Sequence, residues 1–562
     1  MSLIFRGWIL ITALTMAVAA QSAPPEAQTK FRISGTVVDA VRGEALPDVE
    51  VKVSQERTVL QTVITGPDGR FQFDGLAPAK YSLSARGHGY QPQGYQQHHL
   101  ATTGIVTGPR LESENLVFRL KPEASISGTV TDESSAPVPL AEVLLFAGGY
   151  AEAPQAILLR LKTTANDAGY FHFGHLREGK YYLVVVARPW YARSDPEEVE
   201  QKTSAMVDGD AGALEERSVS PDATASVAHH HSDLDVAFQT RYYINATEPE
   251  LATPIVLKPG ERATADLHLL AVPALRLKVR GTPAFTNAAS SLVLSERIFS
   301  YSRQISSQSI DQDGIELNSL APGRYLLELP SQGPDGLPQQ RPLELVTDGE
   351  VVPGESSTSV STVTGTIQLE GIQGLCQRCN LRFVSLPSGE VFTTRSTSNG
   401  FQIDGGIRAG TYLVREVSME DYLVKDISAV GARVVRQQVE IPPGVAVRLS
   451  IAMTRDSGTI EGVALQNGKP VSQAAVFLVP NDPAHNLELF RGDQSDSDGT
   501  FTLRQILSGE YTVLAIAEGW DLEWSNPAAL KPFIGGGVRV RVEPRGKYRI
   551  AVAVQALGGA PK

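Results

Sequence analysis

Cysteine is nearly missing from this chain: its 562 residues hold two, Cys376 and Cys379, both in GLCQRCN. A thioredoxin-like dithiol should open a helix after a strand, and here β-rich sequence lies on both sides. In an exported chain the pair reads as a local disulfide closing a strand-edge loop, with a redox dithiol or half a metal site as the alternatives. Excess positive charge is missing as well. Lys and Arg number 50 against 62 Asp and Glu, a net charge of -12. No surplus basic surface is left to displace counterions from phosphates, which argues against nucleic acid and anionic membranes as partners. Long apolar runs are the third absence: beyond the N-terminus no segment approaches the roughly 20 apolar residues that a spanning helix needs.

The N-terminus reads MSLIFRGWILITALTMAVAAQSAPPEAQ. Arg6 supplies a short positive region, Gly7 to Val18 an apolar run too short for a comfortable span, and Ala17-Val18-Ala19 a small-residue cleavage site. Residues 1–19 therefore read as a signal peptide, with the mature chain starting near Ala20 and no Cys beside it to take a lipid. The expected location is secreted or periplasmic, with no transmembrane segment after signal cleavage.

What is abundant is turn chemistry, 50 Gly and 35 Pro, enough to punctuate many short strands. The punctuation repeats. PDGRFQFDGLAPAKYSLSARGHGY lies over DAGYFHFGHLREGKYYLVVVARPW, so that Gly69, Phe71, Phe73, Leu76, Lys80, Tyr81 and Leu83 return as Gly169, Phe171, Phe173, Leu176, Lys180, Tyr181 and Leu183. Further copies fall around Phe501 and Tyr511, Phe401 and Tyr412, and, more weakly, Leu317 and Tyr325. Asp/Asn-Gly makes a tight turn because Gly accepts positive φ, Phe-x-Phe sets both rings on one face of a strand, and Tyr-x-Leu continues with period two. An opening strand containing Gly precedes each strong copy (FRISGTVVD, ASISGTVTD, TVTGTIQLE, GTIEGVALQ), and a Pro- or Gly-led closing strand follows. Each unit then has at least five short strands in about 80 to 100 residues, the size of one β-sandwich. The expected fold is all-β, a tandem array of about five Ig-like or transthyretin-like modules: 31–121, 122–271, a degenerate 272–360, 361–455 and 456–557. The junctions fall near Pro122, Val272, Ser361 and Asp456, short enough to suggest stiff beads in a row, and an acidic loop is inserted at about 193–233.

Several residues invite a chemical reading. His175-Leu-Arg-Glu178 has the spacing of one class of zinc peptidase, but His175 stands where the first copy has Gly75, and Glu178 where it has Pro78, so the turn reading is preferred over a metal site. His229-His230-His231 with Asp233, in the acidic loop, reads as solvated, Arg491-Gly492-Asp493 as an ordinary loop and not an adhesion tripeptide, and Asn245-Ala246-Thr247 as a glycosylation acceptor pattern. The recurrent signal is aromatic: Tyr90, Trp190 and Trp520 stand nine residues beyond the hairpin Tyr, and Tyr422 ten beyond. Tyr95, Tyr191 and Trp524 thicken the patch, with Tyr242 and Tyr243 nearby. Such rings could stack on sugar faces; the structural alternative is a plug at the sandwich end.

At ISGTVVDAVRGEALPDVEVKV, continuing to PDGRFQFDGLAPAKYSLSARGHGY, the chain resembles a carboxypeptidase regulatory-like domain, a transthyretin-like, starch-binding-like β-sandwich. The whole chain is similar to exported bacterial proteins built of such modules. The resemblance implies a non-catalytic accessory fold without cofactor or metal. A related family of collagen-binding-type surface domains carries a Lys-Asn isopeptide crosslink, which is not expected here because the opening strands lack a suitably placed Lys. The functional expectation is a non-catalytic exported binding protein, with polysaccharide the leading partner. A structural or adhesive envelope protein with protein partners is the alternative, and an accessory to a hydrolase or a concealed hydrolase is the third reading, placed last because no Ser-His-Asp, paired-carboxylate or complete metal constellation recurs.

Overall fold

The computed structural model describes residues 30–557 apart from 99–100, 149–155, 190–234, 283–290, 311–312, 331–338, 354–357, 375, 377–378, 387, 405, 417–420 and 523–525. The inserted loop expected at 193–233, the His229–His231 run with Asp233, and Trp190, Tyr191 and Trp524 lie outside the described residues.

The Gly-x-Phe-x-Phe signal works as elementary geometry requires. In module one, β1 (Phe31–Asp39), β2 (Glu50–Gln55), β3 (Thr58–Ile64), β4 (Arg70–Leu76) and β5 (Lys80–Arg86) divide between two sheets. Strand β5 alternates throughout and β4 as far as Asp74, with Phe71, Phe73, Tyr81 and Leu83 inward and Arg70, Gln72, Ser82 and Ser84 outward. The turns before the Phe strands have left-handed glycines, Gly69 and Gly169, both at φ 69°, where a side chain would be strained. The array is all-β, and separate apolar clusters lie around Phe73, Phe171, Leu317, Phe401 and Phe501.

Two features repeat in all five units. The opening strand pairs antiparallel with the Gly-x-Phe strand and parallel with the closing strand: β1 with Leu116–Leu120, Ala124–Thr131 with Arg262–Thr264, Leu275–Val279 with Gly349–Val351, Thr362–Leu369 with Ala446–Thr454, and Gly458–Gln466 with Lys547–Gln555. This close pairing explains the Gly of the opening strand. A Cβ on Gly35 would stand 2.2 Å from the Leu116 carbonyl oxygen, and one on Gly128 2.1 Å from that of Ala265 and 2.9 Å from the Phe171 ring. Gly128→Ala should thus destabilise module two by about 2 kcal/mol, the usual cost of overpacking, measured as a lower denaturation midpoint. An unchanged midpoint would reject the close-approach argument.

The second feature is the hairpin tyrosine. Each reaches back four residues to a carbonyl: Tyr81 to Ala77 at 2.9 Å, Tyr181 to Arg177 at 3.0 Å, Tyr325 to Ala321 at 2.6 Å, Tyr412 to Arg408 at 2.8 Å and Tyr511 to Leu507 at 2.9 Å. A buried phenol needs a partner for its O–H, and the linker carbonyl supplies one, as in the tyrosine corner of other sandwiches. Burial pushes the Tyr412 and Tyr511 hydroxyls up to about 12, so they stay donors at any ordinary pH.

Candidate functional site

The aromatic positions divide by what holds them. Tyr95 and Tyr422 are core residues, 6% and 3% exposed, and neither offers a free ring face to a ligand. Tyr95 packs edge-on against Phe118 at 5.4 Å, and the Arg455 guanidinium lies 4.4 Å from the centre of the Tyr422 ring. Tyr90 is half-buried and donates to Asp39 Oδ2 at 2.8 Å. Burial raises the Asp39 carboxyl, but hydrogen bonds from the Arg42 and Val41 amides, Tyr90 and the Arg42 side chain outweigh it and hold the group below the usual range. Trp520, also half-buried, donates its indole N–H to the Gln473 carbonyl at 3.3 Å and stacks on His98 of module one, ring centres 5.1 Å apart and planes nearly parallel. Period two identifies a ring's face of a strand; it carries no information about which distant segment covers that face.

His175 adopts φ 56°, the left-handed conformation of Gly75 at 76° and Gln505 at 54°, so the position is a turn built by the backbone. Its Nδ1 lies 2.6 Å from Glu123, and Lys121 lies 2.5 Å from Glu178. Gln91 donates to the Leu176 carbonyl at 2.8 Å. The His175 contact lies within module two, while Glu178 and the Leu176 carbonyl tie this segment to module one. Among the described residues no three His, Cys, Asp or Glu side chains gather as a metal would need. Arg491-Gly492-Asp493 is not a loop. It belongs to the strand Arg491–Gln494, where Arg491 donates to the carbonyls of Glu488, Phe490 and Gln505, and Asp493 accepts the Thr502 amide at 2.8 Å. Asn245 sits exposed in a turn. Cys376 and Cys379 form a disulfide, Cα atoms 5.7 Å apart, at the edge of the module-four core.

The beads do not simply follow one another, because module five returns to dock on module one. Asp496, 1% exposed, accepts the Gly104 amide at 2.9 Å and faces Lys80 Nζ at 2.5 Å. Ser497 donates its amide to the Gly104 carbonyl at 2.9 Å, and its hydroxyl accepts the Val106 amide at 2.9 Å. Gln494, fully buried, donates to the Gln96 carbonyl at 2.9 Å and to the Thr103 hydroxyl, while its Oε1 lies 3.1 Å from His98 Nδ1. Burial raises the Asp496 carboxyl to about 6, against the opposing pull of Lys80 and Gly104. Nothing in the residue types or spacing announces this contact. Lys80 recurs as Lys180 and reads as part of the hairpin, and Asp496 sits in SDSDGTF, which reads as a turn.

Modules two and three share a second contact. Phe299, in the turn between Ser291–Ile298 and Tyr301–Ser309, inserts its ring among Phe146, Tyr182 and Tyr242 at 5.1, 5.4 and 5.3 Å. Arg303 reaches Glu296 at 3.5 Å and Glu142 of module two at 3.8 Å. Beside this contact opens a cleft of about 690 Å³ lined in part by Phe238, Thr240, Glu296, Arg303, Gln308 and Tyr325. Burial raises the Glu296 carboxyl, opposed by a hydrogen bond from Thr240 and by Arg303. Glu296 and Arg303 pair within module three, and Arg303 also reaches across the junction to Glu142. Arg297 lies 4.0 Å from Glu390 of module four, and Ala156 and Leu158 of module two pack on Val384 of module four.

Residues 32–107 and 125–208 each match the family model of the carboxypeptidase regulatory-like domain. The first two modules are thus β-sandwiches of that class. No curated protein matches the chain. Solved structures to which it is similar include the streptococcal ancillary pilin (11% identity, covering 50% of this chain and 98% of that one, TM-score 0.19). Others are the Bacillus anthracis TIE protein (9%, 95% and 76%, 0.16) and the major pilin subunit of Bacillus cereus (9%, 77% and 99%, 0.15). These similarities lend no weight to any function. Among the described residues no helix is long and apolar enough to cross a membrane.

Proposed function

We propose that this chain is a non-catalytic, exported scaffold of the cell envelope or exterior, five modules divided near Pro122, Val272, Ser361 and Asp456, with a structural or adhesive role toward protein partners. The observation that carries the reading is the buried polar docking of module five on module one through Asp496, Gln494 and Ser497. Residues that looked like chemistry, His175, Glu178 and Arg491, support the same reading, because each holds a turn, a strand or a junction. Joining modules through fixed polar contacts gives a rigid body that displays its surfaces in a set geometry, which is useful for holding partners and needs no turnover.

Carbohydrate binding, the finer reading, keeps Tyr90 and Trp520 as half-buried candidates, and both rings already have partners within the chain. A glycan array on the mature protein, run beside crosslinking in intact envelopes, separates the two. The expected result is protein adducts and no glycan signal that depends on Trp520. A glycan bound by the wild type and lost in Trp520→Ala, with the small-angle scattering profile unchanged, would replace the scaffold reading with sugar recognition.

A further inference from the structure

Module four makes with a disulfide a connection that other modules make without one. After the opening strand one residue folds back, and its amide donates at 2.9 Å to a carbonyl of that strand: Leu46 to Val37, Val138 to Val130, Val471 to Ala464 and Cys376 to Ile367. Cys376 thus stands where the other modules have Leu or Val. The next anchor is an amide that donates to a hydroxyl: Val49 to Thr65 at 3.0 Å, Ala474 to Ser495 at 2.8 Å and Leu381 to Thr394 at 2.9 Å. Two residues separate the anchors in modules one and five, and four separate them in module four. The bond between Cys376 and Cys379 therefore spans an enlarged connection whose two ends are held by the same hydrogen bonds that serve where no sulfur is present. A ring closed over a sequence separation of 3 also restricts the unfolded chain far less than a long loop would. As a staple the bond gives the module little.

The two sulfurs differ in access. Cys379 is 1% exposed and belongs to the module-four core, whereas Cys376 is half-buried at its edge. Thiol–disulfide exchange depends on which sulfur is attacked and on which one leaves. Here an incoming thiolate meets Cys376, and Cys379 is the leaving sulfur. The segment that leads into Cys376 borders an open groove of about 500 Å³, lined in part by Leu369, Ile372, Gly374, Lys425 and Met453, with Ile372 52% exposed. A second chain has room beside the connection. The sequence holds no third cysteine to compete.

We propose that Cys376 and Cys379 are a reversible exchange site for a dithiol carried by another protein, and not a structural staple. The partner's thiolate attacks Cys376 Sγ and forms a new S–S bond there. The Cys376–Cys379 bond breaks, and its electron pair passes to Cys379, which takes up a proton. The partner's second thiol then gives up its proton and attacks the partner's own sulfur in the mixed disulfide, and Cys376 leaves and is protonated in turn. The partner departs as a disulfide, oxidised by the two electrons that leave module four with two thiols. Among the described residues no helix N-terminus lies beside the pair to hold a thiolate, so the partner supplies the nucleophile. The exchange involves neither module one nor module five, so it stands or falls separately from the proposed function.

The test uses the mature full-length protein in native buffer, with about 1 mM dithiothreitol as the dithiol. Both cysteines should become open to alkylation, counted by mass, while the melting midpoint stays within about 3 °C of the oxidised protein. Limited alkylation of the reduced wild type, mapped by peptide mass, should modify Cys376 about tenfold faster than Cys379. With glutathione disulfide, Cys379→Ala should trap a mixed disulfide at Cys376, and Cys376→Ala should trap none. A bond that resists dithiothreitol until the protein unfolds, or a module that melts apart on reduction, would overturn the proposal. So would equal alkylation of the two cysteines, or a mixed disulfide formed as readily at Cys379.

Discussion

Asp496→Ala is expected to open the array, with small-angle scattering showing a larger maximum dimension and module one losing the protection it gains from module five. The carboxylate is 1% exposed and serves two partners in module one, Gly104 N–H and Lys80. Truncating one member of a buried, hydrogen-bonded charge pair costs about 2–5 kcal/mol; the low end applies here because the Lys80 side chain is 47% exposed and recovers water. The same contact should respond to pH. Burial lifts Asp496 to about 6, and once the array opens the carboxyl returns to its ordinary value of 3.8. The closed form then binds the proton more tightly, so closure is strongest below about pH 4 and loses strength as pH rises through 6, by on the order of 2–3 kcal/mol. Thr500 and Asp493 also face the group, and Asp493, raised by its own burial, pushes in the same direction. Scattering between pH 4 and 8 measures this. A profile that expands on acidification, or one identical in wild type and Asp496→Ala, would reject the assignment.

Phe299→Ala should uncouple modules two and three, splitting one calorimetric transition into two. The ring touches three aromatic partners in the neighbouring module, and loss of an interface anchor of this kind costs about 2 kcal/mol or more. Phe299 holds φ 52°, a conformation that bulky side chains seldom adopt. The chain tolerates local strain of about 1–3 kcal/mol to aim the ring across the junction. Phe299→Gly removes ring and strain together, so it should split the transition while leaving module three itself more stable than in Phe299→Ala. A single unsplit transition in both variants would mean that Arg303, Glu142 and the surrounding polar contacts suffice.

The parts of this architecture that are local in sequence were legible in it. Gly69 before Phe71 and Phe73, and Tyr81 before Leu83, announce a turn and two half-buried strands because turn geometry and side-chain alternation act within a few residues. The five hairpin tyrosines were readable as strand residues but not as donors to a carbonyl four residues back, since the linker's path decides that bond. Contacts between distant segments were silent. Gly104 and Asp496 are 392 residues apart, and neither stands out by type or spacing. For the same reason the recurrence of Tyr90, Tyr422 and Trp520 could not say which rings are covered; Tyr422 is buried, and His98 lies across one face of Trp520.

The parallel pairing of opening and closing strands has a mechanical consequence. In module five Thr459 to Leu465 run alongside Lys547 to Ala553, so the chain enters at one end of the sandwich and leaves at the other. Tension applied along the polypeptide therefore loads that ladder in shear, and its bonds must yield together instead of peeling one at a time. Any bead whose first and last strands lie this way resists stretching far better than its equilibrium stability alone would suggest.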